Sequence, residues 1–170
     1  MTKTVEYIDA PHDWIGTDDY SSHRQMLWLA LNKTDGHSVV EFGCGKGSTK
    51  ILAKECIAQH RNFSSYERDA VYAKKYDGIT TKISDYKDVY LHKPNILFID
   101  SAPGEQRKEL IELHRDNADV IIIHDTEDGA QNIYGIREVL NSFKYRLNYY
   151  PEGNPGTTAL SNKINVCDWV

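Results

Sequence analysis

Ser38-Val39-Val40-Glu41-Phe42-Gly43-Cys44-Gly45-Lys46-Gly47-Ser48 is the stretch on which the reading of this chain turns. A short run with two β-branched valines carries an acid two residues before the first glycine. Three glycines follow at alternate positions, and then a pattern of helical period. That order spells a strand, a tight turn and a helix start. Glycine permits unusual backbone angles in such a turn and lets a ligand approach the main chain closely. The free amides at the helix start face whatever sits in the bend. The spacing is G-x-G-x-G, with Ser48 where the dinucleotide fingerprint G-x-G-x-x-G has its third glycine. Lys46 is followed by Gly47 and not by Ser or Thr, which speaks against a P-loop.

Downstream, apolar runs alternate with helical patterns. Thr49–His60 reads as a helix with Leu52, Ala53, Cys56 and Ile57 on its buried stripe. Asn62–Tyr66 reads as a strand ending at Glu67, where a carboxylate can accept two hydrogen bonds from a ribose diol. A short helix over Asp69–Tyr76 leads to a strand over Gly78–Ile83 and to Ser84-Asp85. Asn95–Ile99 is almost wholly apolar, as a central parallel strand should be, and ends at Asp100. A helix over Glu105–Arg115 precedes the strand Asp119–Ile123, which ends at His124-Asp125-Thr126. Ile133, Ile136, Leu140 and Phe143 mark a last helix. Lys144–Tyr150 and Thr157–Ser161 are two strands with no helix between them, so they should pair antiparallel.

Upstream, residues 1–16 show no sustained period and read as an irregular arm. The arm either folds over the ligand pocket, with His12, Asp13 and Trp14 as lid residues, or packs on the outside of the domain. Tyr20–Asn32 reads as a helix. The expected fold is α/β: a three-layer sandwich with a mostly parallel seven-stranded sheet, helices on both faces and an antiparallel hairpin at the C-terminal edge. One domain over 1–170 is expected, with an N-terminal arm and helix over 1–37, a cofactor-binding core over 38–162 and a tail over 163–170. Loops at the carboxyl ends of the strands then bring Glu67, Asp85, Asp100 and Asp125 to one rim.

A chain of 170 residues with 40% hydrophobic and 26% charged content suits a globular protein. A net charge of −5 argues against an extended nucleic-acid surface. Three scattered cysteines, Cys44, Cys56 and Cys167, suggest free thiols in a reducing compartment. There is no basic stretch followed by an apolar run at the start and no segment of membrane-spanning length, so a cytoplasmic location without membrane attachment is expected.

Glu41 with Gly43, Gly45 and Gly47, a strand before and a helix after, resembles the first motif of the class I S-adenosylmethionine-dependent methyltransferases. The resemblance covers residues 38–162, including the antiparallel end. It implies S-adenosylmethionine as cofactor, held by Glu41, Gly43, Gly45, Gly47, Ser48, Glu67, Ser84 and Asp85. Asp100 and Asp125-Thr126 are similar to the catechol and caffeoyl O-methyltransferases, which place an Asp after the fourth strand and an Asp-Asn pair after the fifth. That likeness implies Mg2+ on Asp100, Asp125 and Thr126, with Thr126 departing from the family's Asn. Asp100-Ser101-Ala102-Pro103-Gly104, Arg107 and His124-Asp125 resemble the O-methyltransferases of glucuronic acid side chains of xylan. In a metal-free version Asp125 or His124 is the base, and Arg107 either binds an acidic acceptor or is a helix-surface charge. Amino-methyltransferases carry an aromatic residue after the fourth strand, which Asp100-Ser101-Ala102-Pro103 lacks. The implied activity is O-methylation of a small-molecule or sugar hydroxyl, with Asp100, Asp125 and His124 at the reacting centre. Two other classes remain: a nicotinamide-dependent oxidoreductase, and a non-catalytic binding protein on the same fold.

Overall fold

The apolar runs that end in glycine or acid lie side by side at the centre of one sheet in the computed structural model, which describes residues 1–170. The strands are β1 (Thr2–Val5), β2 (Ser38–Phe42), β3 (Asn62–Glu67), β4 (Thr80–Lys82), β5 (Ile96–Ile99), β6 (Val120–His124), β7 (Tyr145–Tyr149) and β8 (Thr157–Ser161). Their order is β1-β7-β8-β6-β5-β2-β3-β4. All neighbours pair parallel except β8, which runs antiparallel to both β6 and β7. The helices are α1 (Arg24–Lys33), α2 (Thr49–Ala58), α3 (Ala70–Lys75), α4 (Gln106–His114), α5 (Asp128–Ile133) and α6 (Arg137–Asn141). None is long and apolar enough to cross a membrane.

Alternation along the strands sorts side chains onto two faces. Val39, Phe98 and Ile122 pack under Met26, Leu29 and Ala30 of α1 and Leu52 and Cys56 of α2. Their neighbours Val40, Leu97 and Ile121 pack under Leu110 and Ile111 of α4 and Val139 and Leu140 of α6. Residues at the strand ends keep this parity. Glu41, Asp100 and His124 therefore fall on the α1–α2 face. The chain moves from β2 to β3 and β4 on one side and to β5 and β6 on the other. This switch leaves a crevice beyond the carboxyl ends of β2 and β5, where such sheets bind ligands.

The sheet has eight strands, not seven. The extra one is β1, inside the segment read as an irregular arm. It pairs parallel with β7, Thr2 opposite Arg146 and Val5 opposite Tyr149. A four-residue edge strand of Thr, Lys, Thr and Val shows no apolar alternation, because half of it faces water. The β7–β8 hairpin is antiparallel as expected, but β1 and not the hairpin forms the edge. The arm beyond β1 packs on the outside: Trp14 is buried with Ile8 beside α1, while His12 and Asp13 are exposed and line a separate shallow groove with Trp28 and Lys54. The expected last helix is two, α5 and α6, divided at Gly135 with φ +63°.

Candidate functional site

The glycine turn is built from below by Glu41. This fully buried carboxylate accepts hydrogen bonds from Ser65 (2.6 Å), Thr49 (2.9 Å) and Ser48. Thr49 in turn accepts from the Gly45 amide at 2.8 Å. Glu41 thus fastens the start of α2 to the sheet and has no surface on the cavity above. Burial pushes its carboxyl up to about 7, against the pull of the three hydroxyl donors.

The three glycines have different reasons to be glycine. Gly43 has φ +94°, and a Cβ there would lie 2.3 Å from the Asp100 carbonyl oxygen. Gly47 is pressed by the chain before α1, since a Cβ would lie 1.8 Å from the Tyr20 carbonyl oxygen. Gly45 alone meets nothing within 4 Å and opens onto a cavity of about 800 Å3.

One wall of that cavity is the turn itself, with Cys44, Gly45 and Lys46, and beside it Glu67 at the end of β3. Glu67 Oε1 accepts from the Asp69 amide (2.7 Å) and the Tyr86 hydroxyl (3.2 Å), and Oε2 from the Cys44 amide (3.1 Å). These donors aim the carboxylate and leave acceptor capacity on Oε2. Tyr72, Lys75 and Tyr76 extend this end of the cavity. Cys44 is no nucleophile: burial first, then the nearby Glu67 and Glu41 charges, push its thiol up to about 12. All three cysteines are free and buried.

The opposite wall comes from the ends of β5 and β6. Arg107 of α4 is buried, not a surface charge. Its Nη2 donates to Asp100 Oδ1 (3.0 Å), and its Nη1 donates to Asp125 Oδ2 (2.9 Å) and the His124 carbonyl (2.7 Å). Its guanidinium lies over the Tyr134 ring at 4.8 Å. His124 Nδ1 faces Asp100 Oδ1 at 3.3 Å and Asp125 Oδ1 at 3.5 Å. Burial alone would lower the His124 pKa, but the two carboxylates outweigh it and hold it above the usual range. Asp100 in turn is held below the ordinary carboxylate range, the His124 and Arg107 charges outweighing its burial. The result is a set in which two carboxylates face a guanidinium and an imidazole. Successive strand residues point apart, yet His124 and Asp125 both reach the cavity, because Asp125 has φ +54° and leaves the strand path.

Several expected contacts fall elsewhere. Ser84 and Asp85 do not line the cavity; Asp85 caps the turn Tyr86–Asp88 through the Lys87 amide (3.2 Å). Ser48 spends its hydroxyl on Glu41. Thr126 is fully buried and accepts from the Thr158 hydroxyl at 2.8 Å. The set Asp100, Asp125 and Thr126 does not fit magnesium: a guanidinium already spans the two carboxylates, and the third oxygen points into the sheet. Tyr20 and His23, which line the cavity from the segment before α1, escape the sequence reading. That segment is tied to the glycine turn by Lys46 on Asp18 (3.0 Å) and Arg24 on the Gly47 carbonyl (2.8 Å).

A glycine bend at the switch point, an acid after the next strand and an antiparallel end on a parallel sheet are the marks of the class I, Rossmann-like methyltransferase fold, and this chain has it. Solved structures share this fold. The chain is similar to a SAM-dependent O-methyltransferase from Thermotoga maritima, with TM-score 0.61 at 10% identity over 80% of this chain and 63% of that one. It is similar to cofactor-bound Rv0187 from MTB, with TM-score 0.61 at 14% identity over 91% and 84% of the two chains. It is also similar to the N-terminal domain of human METTL16, with TM-score 0.58 at 12% identity over 92% and 75%. No protein-family model and no curated protein matches the chain.

Proposed function

We propose that the chain is an S-adenosylmethionine-dependent methyltransferase whose acceptor is a hydroxyl of a small molecule or sugar. The observation that carries the reading is the cavity with the open Gly45 and the aimed Glu67 on one wall and Asp100, His124 and Asp125 on the other. When bound, the cofactor supplies an electrophilic methyl on a sulfonium. Gly45 would give its methionine part room against the backbone, and Glu67 Oε2 would accept from a ribose diol. Glu41 acts at one remove, by holding the turn.

In-line transfer needs the acceptor oxygen held opposite the sulfur. As the O–C bond forms and the C–S bond breaks, the hydroxyl proton must leave. The carboxylate of Asp125 is the group placed to take it, since His124 faces Asp100 and Asp125 as a proton donor. Arg107 holds Asp125 in place. The sugar-type reading gains support here, because His124, Asp125 and Arg107 assemble while the magnesium set does not.

The test has two stages. S-adenosylhomocysteine, but not NAD, should raise the melting temperature, because a ligand that binds only the folded state stabilises it by mass action. Labelled methyl should then pass from the cofactor to a member of a sugar and catechol panel. Asp125→Asn should keep S-adenosylhomocysteine binding and lose turnover by roughly 10²–10⁴-fold, the usual worth of a general base. Stabilisation by NAD alone would replace the assignment with an oxidoreductase. Cofactor binding with no turnover on any acceptor would point to a binding protein.

A further inference from the structure

We infer that His23, Asp100 and His124 form a binding site for one divalent transition-metal ion of the zinc or cobalt type. The three residues come from separate elements: the segment before α1, the end of β5 and the end of β6. One ligand atom from each lies within 4.8 Å of the others, and all three residues line the cavity.

His23 is the first observation. It is 1% exposed, yet neither ring nitrogen has a hydrogen-bond partner. Leaving a buried polar group unpartnered is costly, so such a group calls for a partner. Its ring stands edge to face with that of His124, centroids 4.6 Å apart, so a nitrogen lone pair can be turned towards the same point.

His124 is the second. Ser22 Oγ lies 3.0 Å from His124 Nε2 and also 3.0 Å from the Pro155 carbonyl oxygen. A carbonyl only accepts, so the single Ser22 hydroxyl proton goes to Pro155. Ser22 Oγ must then accept from His124 Nε2–H. This fixes Nε2 as the protonated nitrogen and leaves Nδ1 facing Asp100. A metal-bound histidine donates its second N–H to an acceptor in the same way. Asp100 Oδ1 is taken by Arg107 and faces His124, whereas Oδ2 has no protein partner.

Two imidazoles and one carboxylate suit a borderline-soft ion better than magnesium or calcium, which take oxygen sets. In a tetrahedral zinc site with bonds of about 2.1 Å, ligand atoms stand roughly 3.4 Å apart. The three ligand atoms here stand within 4.8 Å of one another, so the side chains have to draw together to hold the ion. Three protein ligands leave a position open to the cavity, where an acceptor oxygen can bind.

The inference does not rest on methyl transfer, because the metal is titrated into the full chain with neither cofactor nor acceptor. Cobalt(II) should bind one per chain and give visible d–d absorption that zinc abolishes. Zinc should raise the melting temperature, and equimolar magnesium should not. His23→Ala should weaken cobalt binding by at least roughly 10–100-fold, the loss already seen for second-shell changes. Should that variant not fold, nitrogen-15 spectra of the unsubstituted protein decide: zinc should shift the ring signals of His23 and His124. Shifts confined to exposed His12, His37, His60 or His92, no stoichiometric binding, or unchanged affinity in a folded His23→Ala each overturn it. Such a failure leaves the methyltransferase reading standing, and loss of the latter leaves the ion site standing.

Discussion

Glu41 and Glu67 show how a single residue's surroundings decide its job. Glu41 lies beneath the glycine turn with its pKa raised from 4.5 to about 7. A carboxyl whose folded pKa is raised holds its proton better in the folded state. Its contribution is therefore full below pH 4.5 and lost as pH climbs through about 7. Glu41→Gln should flatten this dependence. In urea titrations between pH 4.5 and 7, the stability of the unsubstituted protein should fall relative to the variant by on the order of 3 kcal/mol, at about 1.4 kcal/mol per unit. A constant difference across that range contradicts the assignment. Glu67 faces the cavity and accepts from two amides and a phenol. Glu67→Gln sets an NH2 against one of these donors, so calorimetry should show S-adenosylhomocysteine binding weakened by roughly tenfold, about 1.4 kcal/mol. Glu67, Asp100 and Asp125 could be read from the sequence because each stands at or just past the end of a strand-like run. The bridge that Arg107 makes between two carboxylates, and the place of His23, could not. A lone Arg in the first turn of a helix gives no sign that two carboxylates will meet it, and His23 belongs to a segment that reads as a helical first turn.

At the scale of the element, the turn between β2 and α2 is legible in outline, since its glycines and its acid stand in the sequence. What each glycine is for depends on chain that returns from elsewhere. The Tyr20 carbonyl crowds Gly47, and the Asp100 carbonyl crowds Gly43. Gly47→Ala should therefore unfold at lower urea, by about 1–3 kcal/mol or more, because backbone must move. Gly45→Val should leave the melting temperature within a degree or two while abolishing S-adenosylhomocysteine binding, because its side chain would stand only in the cavity. Loss of stability in Gly45→Val would mean that the bend is packed and not open. The parity of β2, β5 and β6 was equally visible, and it places Asp100 and His124 on one face. The left-handed turn at Asp125 was not, because Asp gives no warning of φ +54° in the way glycine does.

At the scale of the molecule, the parallel core and the antiparallel pair were legible from long apolar runs and from the missing crossover helix between the last two strands. The eighth strand was hidden by its brevity and by its polar edge. The first residues are not an appendage. The β1 backbone pairs with β7, the Met1 amine donates to the Lys144 carbonyl, and Trp14 is buried in the α1–α2 face of the core. Trp14→Ala should cost about 3–5 kcal/mol in chemical denaturation, the usual loss for a large buried aromatic. A cost below about 1 kcal/mol would show the arm to be merely draped there.

The β1–β7 pairing also sets a timetable for biosynthesis. Residues 2–5 are made 144 positions ahead of their partners at 146–149. Over that interval the segment has no β7 to pair with, so this border of the sheet can close only after the intervening chain has been made.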